Sequence, residues 1–194
     1  RENNIPEWFI ESCKKISYLF PRAHAVAYVM MAFRIAWFKV YHPLAFYAAY
    51  FSIRAKAFDL RIMTGDLNTQ LKEFNRIKAL DRGASPKEKD LMSALEVSME
   101  MYQRGYRFIN VDIQHSGARR FSIKDGALLP PFLAIDSLGE TVADAIVEER
   151  ETKPFTSLKD LQRRCKVSAT IIETMKELKC CGDLPEDEQM SLFV

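Results

Sequence analysis

Leu133-Ala134-Ile135-Asp136-Ser137-Leu138-Gly139-Glu140-Thr141-Val142-Ala143-Asp144-Ala145-Ile146-Val147 decides how the rest of this chain is read. It follows Pro130-Pro131 and reads as a tight hairpin at residues 137–139 that opens a helix. Downstream, Phe155 to Arg164 reads as a short helix, Val167-Ser168-Ala169 as a turn, and Thr170 to Leu178 as a helix ended by Gly182. Upstream, Ser85-Pro86-Lys87-Glu88 combines an N-cap serine, proline at the first helical position and glutamate three residues after the cap. Leu91, Leu95, Val97, Met99 and Tyr102 continue that helix to Gly105. Tyr106 to Ile113 alternates imperfectly, and Phe121-Ser122-Ile123-Lys124 joins Ala127-Leu128-Leu129 through Asp125-Gly126, a tight-hairpin signal. The fold class expected is therefore mainly α with a small antiparallel β element, an α+β chain.

The stretch at 133–147 resembles a helix-hairpin-helix. In that motif the turn and the following helix start direct unpaired backbone N–H groups at a DNA phosphate. Such contacts hold a duplex without reading its sequence and weaken steeply with salt. The resemblance marks Leu138, Gly139, Glu140 and Thr141 as duplex-binding, with Ser137 standing where the motif usually has its first glycine and Glu140 and Asp144 set to repel phosphate. The helices at 155–178 keep no Gly-x-Gly and are expected to be the structural partner of the first unit, with Arg163, Arg164 and Lys166 as further phosphate contacts. An ordinary capped helix is the plain alternative for 137–147.

The front of the chain is helical. Pro6 opens a half-buried helix to Leu19, Phe20-Pro21 breaks it, and Ala23 to Tyr41 is apolar on nearly all sides. Arg34 and Lys39 interrupt that run, so it is expected to be a core helix and not a membrane span. Pro43 opens a third helix to about Arg54. The expected domains are a helical segment at 1–58, a linker at 59–84 with a helix at Asn68 to Leu80, a duplex-binding domain at 85–182, and an acidic tether with a terminal peptide at 183–194. Residues 1–58 carry 8 basic and 3 acidic side chains, and 183–194 carry 4 acidic and no basic ones. A basic front with an acidic tail suits a polyanion at one end and a protein at the other. The four cysteines, Cys13, Cys165, Cys180 and Cys181, form no CxxC pair and lie far from the histidines, which argues for free thiols and against zinc. The chain opens on Arg1 with no signal-like apolar core, as expected for a cytoplasmic piece of something longer.

The last residues, Gln189-Met190-Ser191-Leu192-Phe193-Val194, follow an acidic stretch from Asp183 expected to be a solvated tether. They resemble the short peptide by which bacterial replication proteins hold the sliding clamp. Burying Leu192 and Phe193 at roughly 1.5–3 kcal/mol each, less the ordering cost, would give affinity on the order of micromolar. Near the front, Phe20-Pro21-Arg22-Ala23-His24-Ala25-Val26-Ala27-Tyr28 is similar to the fingers signature Phe-x-Lys-x-His-Ala-x-Ala-Tyr of family C polymerases. Lys39, Pro43 and Phe46 continue that register.

Taken in order, these pieces resemble the C-terminal part of a PolC-type bacterial DNA polymerase III. The resemblance implies distal fingers, a duplex-binding domain and a clamp-binding tail of Gln189, Met190, Ser191, Leu192 and Phe193. Lys14, Lys15, Arg22, His24 and Tyr28 would meet the incoming deoxynucleotide and template. The implied partners are primer–template DNA, the sliding clamp and other replisome subunits, with no membrane. The parent enzyme would add nucleotides by two-metal phosphoryl transfer with Mg2+ held in its palm. No Asp-x-Asp occurs here, so no catalytic residue, metal site or cofactor is expected in this chain, and alone it should not polymerise. The alternatives are a self-standing helix-hairpin-helix DNA-binding or repair accessory protein and a helical interaction module that binds no nucleic acid.

Overall fold

The computed structural model describes residues 4–16 and 22–187 and divides into two compact units, residues 1–42 and 43–194. The first unit contains α1 (Glu7–Lys14) and α2 (Arg22–Tyr41). No residue of α2 is buried. A core helix was expected, yet among the described residues α2 leaves Phe33, Trp37 and Tyr41 exposed. By length and composition alone α2 is apolar enough to cross a bilayer. The clamp-like residues Gln189, Met190, Ser191, Leu192 and Phe193 lie outside the described residues.

The second unit holds two cores. The first gathers α3 (Pro43–Ala49), a π-helical turn at Tyr50–Arg54, α4 (Leu60–Met63), α5 (Leu67–Leu80) and α6 (Pro86–Gln103) around Tyr47, Phe51, Met63, Ile77, Leu95, Met101 and Phe108. Asp66 caps α5, and the full capping box at Ser85 and Glu88 starts α6. Gln70, Ser98 and Tyr102 meet in a buried hydrogen-bonded set on the Met63 carbonyl. Residues 43–58 and 59–84 thus belong to one packed body with α6. The compact units part at His42/Pro43, whereas the sequence suggested a boundary at Phe58 and a linker after it. Helix α5 buries an apolar side against α6, which a thin hydrophobic pattern concealed.

Strands β1 (Ser122–Lys124) and β2 (Ala127–Leu129) pair antiparallel around Asp125 and Gly126, both at positive φ as a primed two-residue turn requires. The alternating run from Tyr106 adds only a bridge from Phe108 to Leu128. The second core belongs to the C-terminal helices: α7 (Glu140–Thr152), α8 (Leu158–Cys165) and α9 (Ala169–Glu177), preceded by a 3-10 turn at Phe132–Ala134. Phe132, Ile135, Leu138, Ile146, Leu161, Val167, Ile172 and Met175 fill it. The mainly α fold with one small antiparallel element is as expected.

A pair of hairpins as a candidate nucleic-acid interface

Ser137-Leu138-Gly139 and Lys166-Val167-Ser168 have one backbone between them. Ser137 and Lys166 both sit in the left-handed region, at φ 64° and 54°. Leu138 and Val167 are 4% and 2% exposed and point into the shared core. Gly139 and Ser168 then turn extended, at ψ 159° and 153°, as the N-caps of α7 and α9. Packing forces this shape: once the aliphatic residue is anchored inside, the residue before it must reverse the chain, at a left-handed strain of roughly 1–2 kcal/mol for a non-glycine. Residues 155–178 are therefore a second hairpin of the same form. The missing Gly-x-Gly hid it, because Lys166 adopts the conformation that glycine usually supplies.

The two helix starts differ in what surrounds them. At α7 the cap is glycine, so no side chain closes the first turn. Among the described residues the Gly139, Glu140 and Thr141 amides have no intramolecular acceptor. A Cβ on Gly139 would meet nothing within 4 Å, so the bare backbone here leaves the amides uncovered without being demanded by the fold. At α9 the Ser168 hydroxyl accepts from the Ile171 amide at 3.3 Å, and the first turn holds no acidic residue. Lys166, exposed beside it, supplies a positive charge.

Glu140 and Asp144 were expected to repel phosphate from the first hairpin. The structure pairs both with Arg119, 21 and 25 residues upstream. Its Nη1 donates to Glu140 at 2.5 Å, while Nε at 3.1 Å and Nη2 take the two carboxylate oxygens of Asp144. The guanidinium hydrogen bonds hold the Asp144 carboxyl below its usual range. No local pattern announces Arg119. It is placed by a pinned loop, in which Phe132 and Leu133 donate to the Gly117 and Ala118 carbonyls and the Phe121 amide donates to Ser52. Arg150 of α7 fixes the same loop by donating to the Ile113 and Ser116 carbonyls, both at 2.9 Å, with its guanidinium over the Phe132 ring.

The candidate cations after α7 separate into two kinds. Lys166 is exposed, and Arg163 is 73% exposed while holding Asp160 at 2.9 Å. Arg164 is only 15% exposed and is turned inward. It donates to Glu149 at 3.0 Å, to Asp160 at 3.2 Å and to the Glu149 and Lys153 carbonyls, and it stacks on Phe155. Burial alone would raise the Asp160 carboxyl, but hydrogen bonds from Arg163, the Thr156 amide and Arg164 hold it low. Arg164, expected as a phosphate contact, ties α7 to α8. The Leu138 side chain is an interior anchor, and its amide donates to the Ile135 carbonyl at 3.2 Å.

The acidic stretch is not a solvated tether as far as Asp187. The Leu158 and Lys159 amides, at the start of α8, donate to the Pro185 and Glu186 carbonyls at 2.9 and 3.2 Å. Lys176 holds Glu186 at 2.7 Å and Lys159 holds Asp187. The helix start needed acceptors and the tail supplied them.

In the first unit, His24 and Tyr28 share a helix face as their spacing implied, with ring centroids 4.5 Å apart. Arg22 and Lys15 are exposed, and Lys14 pairs with Glu11 at 2.7 Å.

A helix-hairpin-helix motif model matches residues 105–190, the part of the chain that carries both hairpins. Over its whole length the chain is 49% identical to DNA polymerase III PolC-type of Caldanaerobacter subterraneus subsp. tengcongensis, of which it covers 14%. It is 48% identical to DNA polymerase III PolC-type of Streptococcus pyogenes serotype M12, of which it covers 13%. The chain thus spans about one seventh of the length of the curated relatives it matches, and its homologues are PolC-type DNA polymerases III.

Proposed function

We propose that this chain, homologous from end to end to PolC-type DNA polymerase III, is the segment of such a replicative polymerase that grips primer–template duplex behind the growing end. The observation that carries this reading is the pair of like-shaped hairpins within a match that also takes in the front helices. A self-standing accessory protein would give those helices no reason to be matched. The duplex contacts are the uncovered amides of Gly139, Glu140 and Thr141, the start of α9, and the exposed cations Arg163 and Lys166. These hold the phosphate backbone without reading bases.

The first unit is read as distal fingers. Arg22, Lys14 and Lys15 would face phosphate, and the His24–Tyr28 pair would meet the incoming deoxynucleotide and template base. The uncovered apolar sides of α2 are surface for packing elsewhere in the longer polypeptide that the relatives have, in a cytoplasmic protein and not in a bilayer. The terminal Gln189, Met190, Ser191, Leu192 and Phe193 would bind the sliding clamp and bring the chain to other replisome subunits. With duplex held by the same molecule, a micromolar contact becomes effectively intramolecular. Nucleotide addition belongs to a Mg2+-bearing palm outside this chain. Among the described residues no group of three or more His, Cys, Asp or Glu side chains is placed to hold a metal ion.

Fluorescence anisotropy with a labelled primer–template duplex tests the reading. Binding that falls steeply from low to moderate salt is expected, and salt-independent or absent binding overturns it. The clamp arm is tested separately, by loss of clamp binding when Leu192 and Phe193 are both changed to alanine.

A further inference from the structure

We infer that Arg119 is the positioning residue of the first hairpin: it neutralises Glu140 and Asp144 so that the start of α7 can accept a phosphate, and does not itself touch DNA. The inference rests on the duplex-gripping reading and concerns how that same site is tuned. Glu140 is the first residue of α7 and Asp144 lies one turn further, so two negative charges flank the amides that would receive the phosphate. Unopposed, they would cancel the positive end of the helix. Arg119 meets both carboxylates with three of its N–H bearing nitrogens, in a fork on Asp144 and a single bond to Glu140. That geometry leaves the guanidinium committed to the carboxylates.

The surroundings support a fixed post and not a swinging contact. The residues before Arg119 are held to Phe132 and Leu133 by backbone bonds of 2.9 and 3.0 Å, and Phe121 after it is held to Ser52 at 2.9 Å. Arg150 anchors the same loop to α7 itself. The second hairpin supplies an internal contrast: α9 has no acidic residue in its first turn, and Glu173, which stands where Asp144 does in α7, is held at 3.0 Å by Lys176 of its own helix and not by an arginine from another loop.

The test uses the full 194-residue chain, a labelled primer–template duplex and anisotropy across a salt series, with folding of each variant checked by thermal denaturation. R119A is expected to bind about three- to tenfold more weakly, because it leaves two uncompensated carboxylates beside the phosphate. R119A/E140Q/D144N is expected to regain wild-type affinity with an unchanged salt slope, and E140Q/D144N with Arg119 intact to bind at least as tightly as wild type. A triple variant that stays weak, with its slope reduced by about 0.9, would mean that Arg119 contacts phosphate directly and would overturn the inference. Wild-type affinity in R119A would overturn it as well. Absence of salt-dependent binding by the wild-type chain would remove the duplex reading first, and this inference with it. Should R119A fail to fold, tighter or equal binding by E140Q/D144N supports the inference, and weaker binding overturns it.

Discussion

The hairpins at 137–139 and 166–168 fold alike and are equipped differently. The first has a bare glycine cap and two flanking carboxylates held by an arginine from another loop. The second has a serine cap, no acid in its first turn and a lysine as its left-handed residue. The contrast teaches that the shape of such a turn is set by burying its middle residue, while its charge is set by whatever the rest of the fold brings near. Shape and affinity can therefore be varied separately.

The largest expected effect breaks both hairpins together. Arg164→Ala removes the tie between α7 and α8 and leaves Asp160, 5% exposed, without one of its cations; a loss of about 3–5 kcal/mol is expected in urea denaturation. A loss under about 1 kcal/mol would show that the two hairpins pack together without it. Acid acts on the same tie. Because the Asp160 carboxyl is held low in the folded state, its contribution is fully present above the ordinary carboxylate pKa near 3.8 and is lost as pH falls through the lower folded value. Asp160→Asn should therefore be less stable at neutral pH and show a flatter stability profile below about pH 4, measured by denaturation across pH.

Function without stability is the next arm. Gly139→Val should weaken duplex binding about tenfold by covering the amides, with stability lowered by only about 1 kcal/mol, the cost of an aliphatic residue at an N-cap, because its Cβ enters open space. Equal binding by wild type and variant would move the phosphate contact to the second hairpin alone. The smallest effects come from the strained positions. Ser137→Gly and Lys166→Gly should each stabilise by up to about 1 kcal/mol. Only Lys166→Gly should also lower the salt slope of duplex binding, by about 0.9. A like loss in both variants would mean that the turn, and not the lysine charge, sets affinity.

Much of the site was legible in the sequence where the signal was local. Asp125-Gly126 specified its own turn, Ser85 and Glu88 specified the start of α6, and Ser137-Leu138-Gly139 stood out because a glycine survives in it. The second hairpin was read as a turn between two helices but not as an equal of the first. Nothing in Lys166-Val167-Ser168 favours a left-handed residue, and it is the burial of Val167 that imposes one. Arg164 looked like its neighbour Arg163, yet a helix places consecutive residues about 100° apart, so one faces solvent and the other the joint with α7.

The sequence by itself determined most of the helices, though not α4 at Leu60–Met63, together with the short hairpin and the order of the pieces, because caps, turns and periodicity act over a few residues and need no partner from afar. Only the tertiary structure decided that Arg119 silences Glu140 and Asp144, that residues 185–187 close the start of α8, and that the chain divides at His42. Each of the first two joins groups more than twenty residues apart, and the division reflects which apolar faces find each other. Such choices are made by the packed core, whose contacts no local pattern of residues encodes.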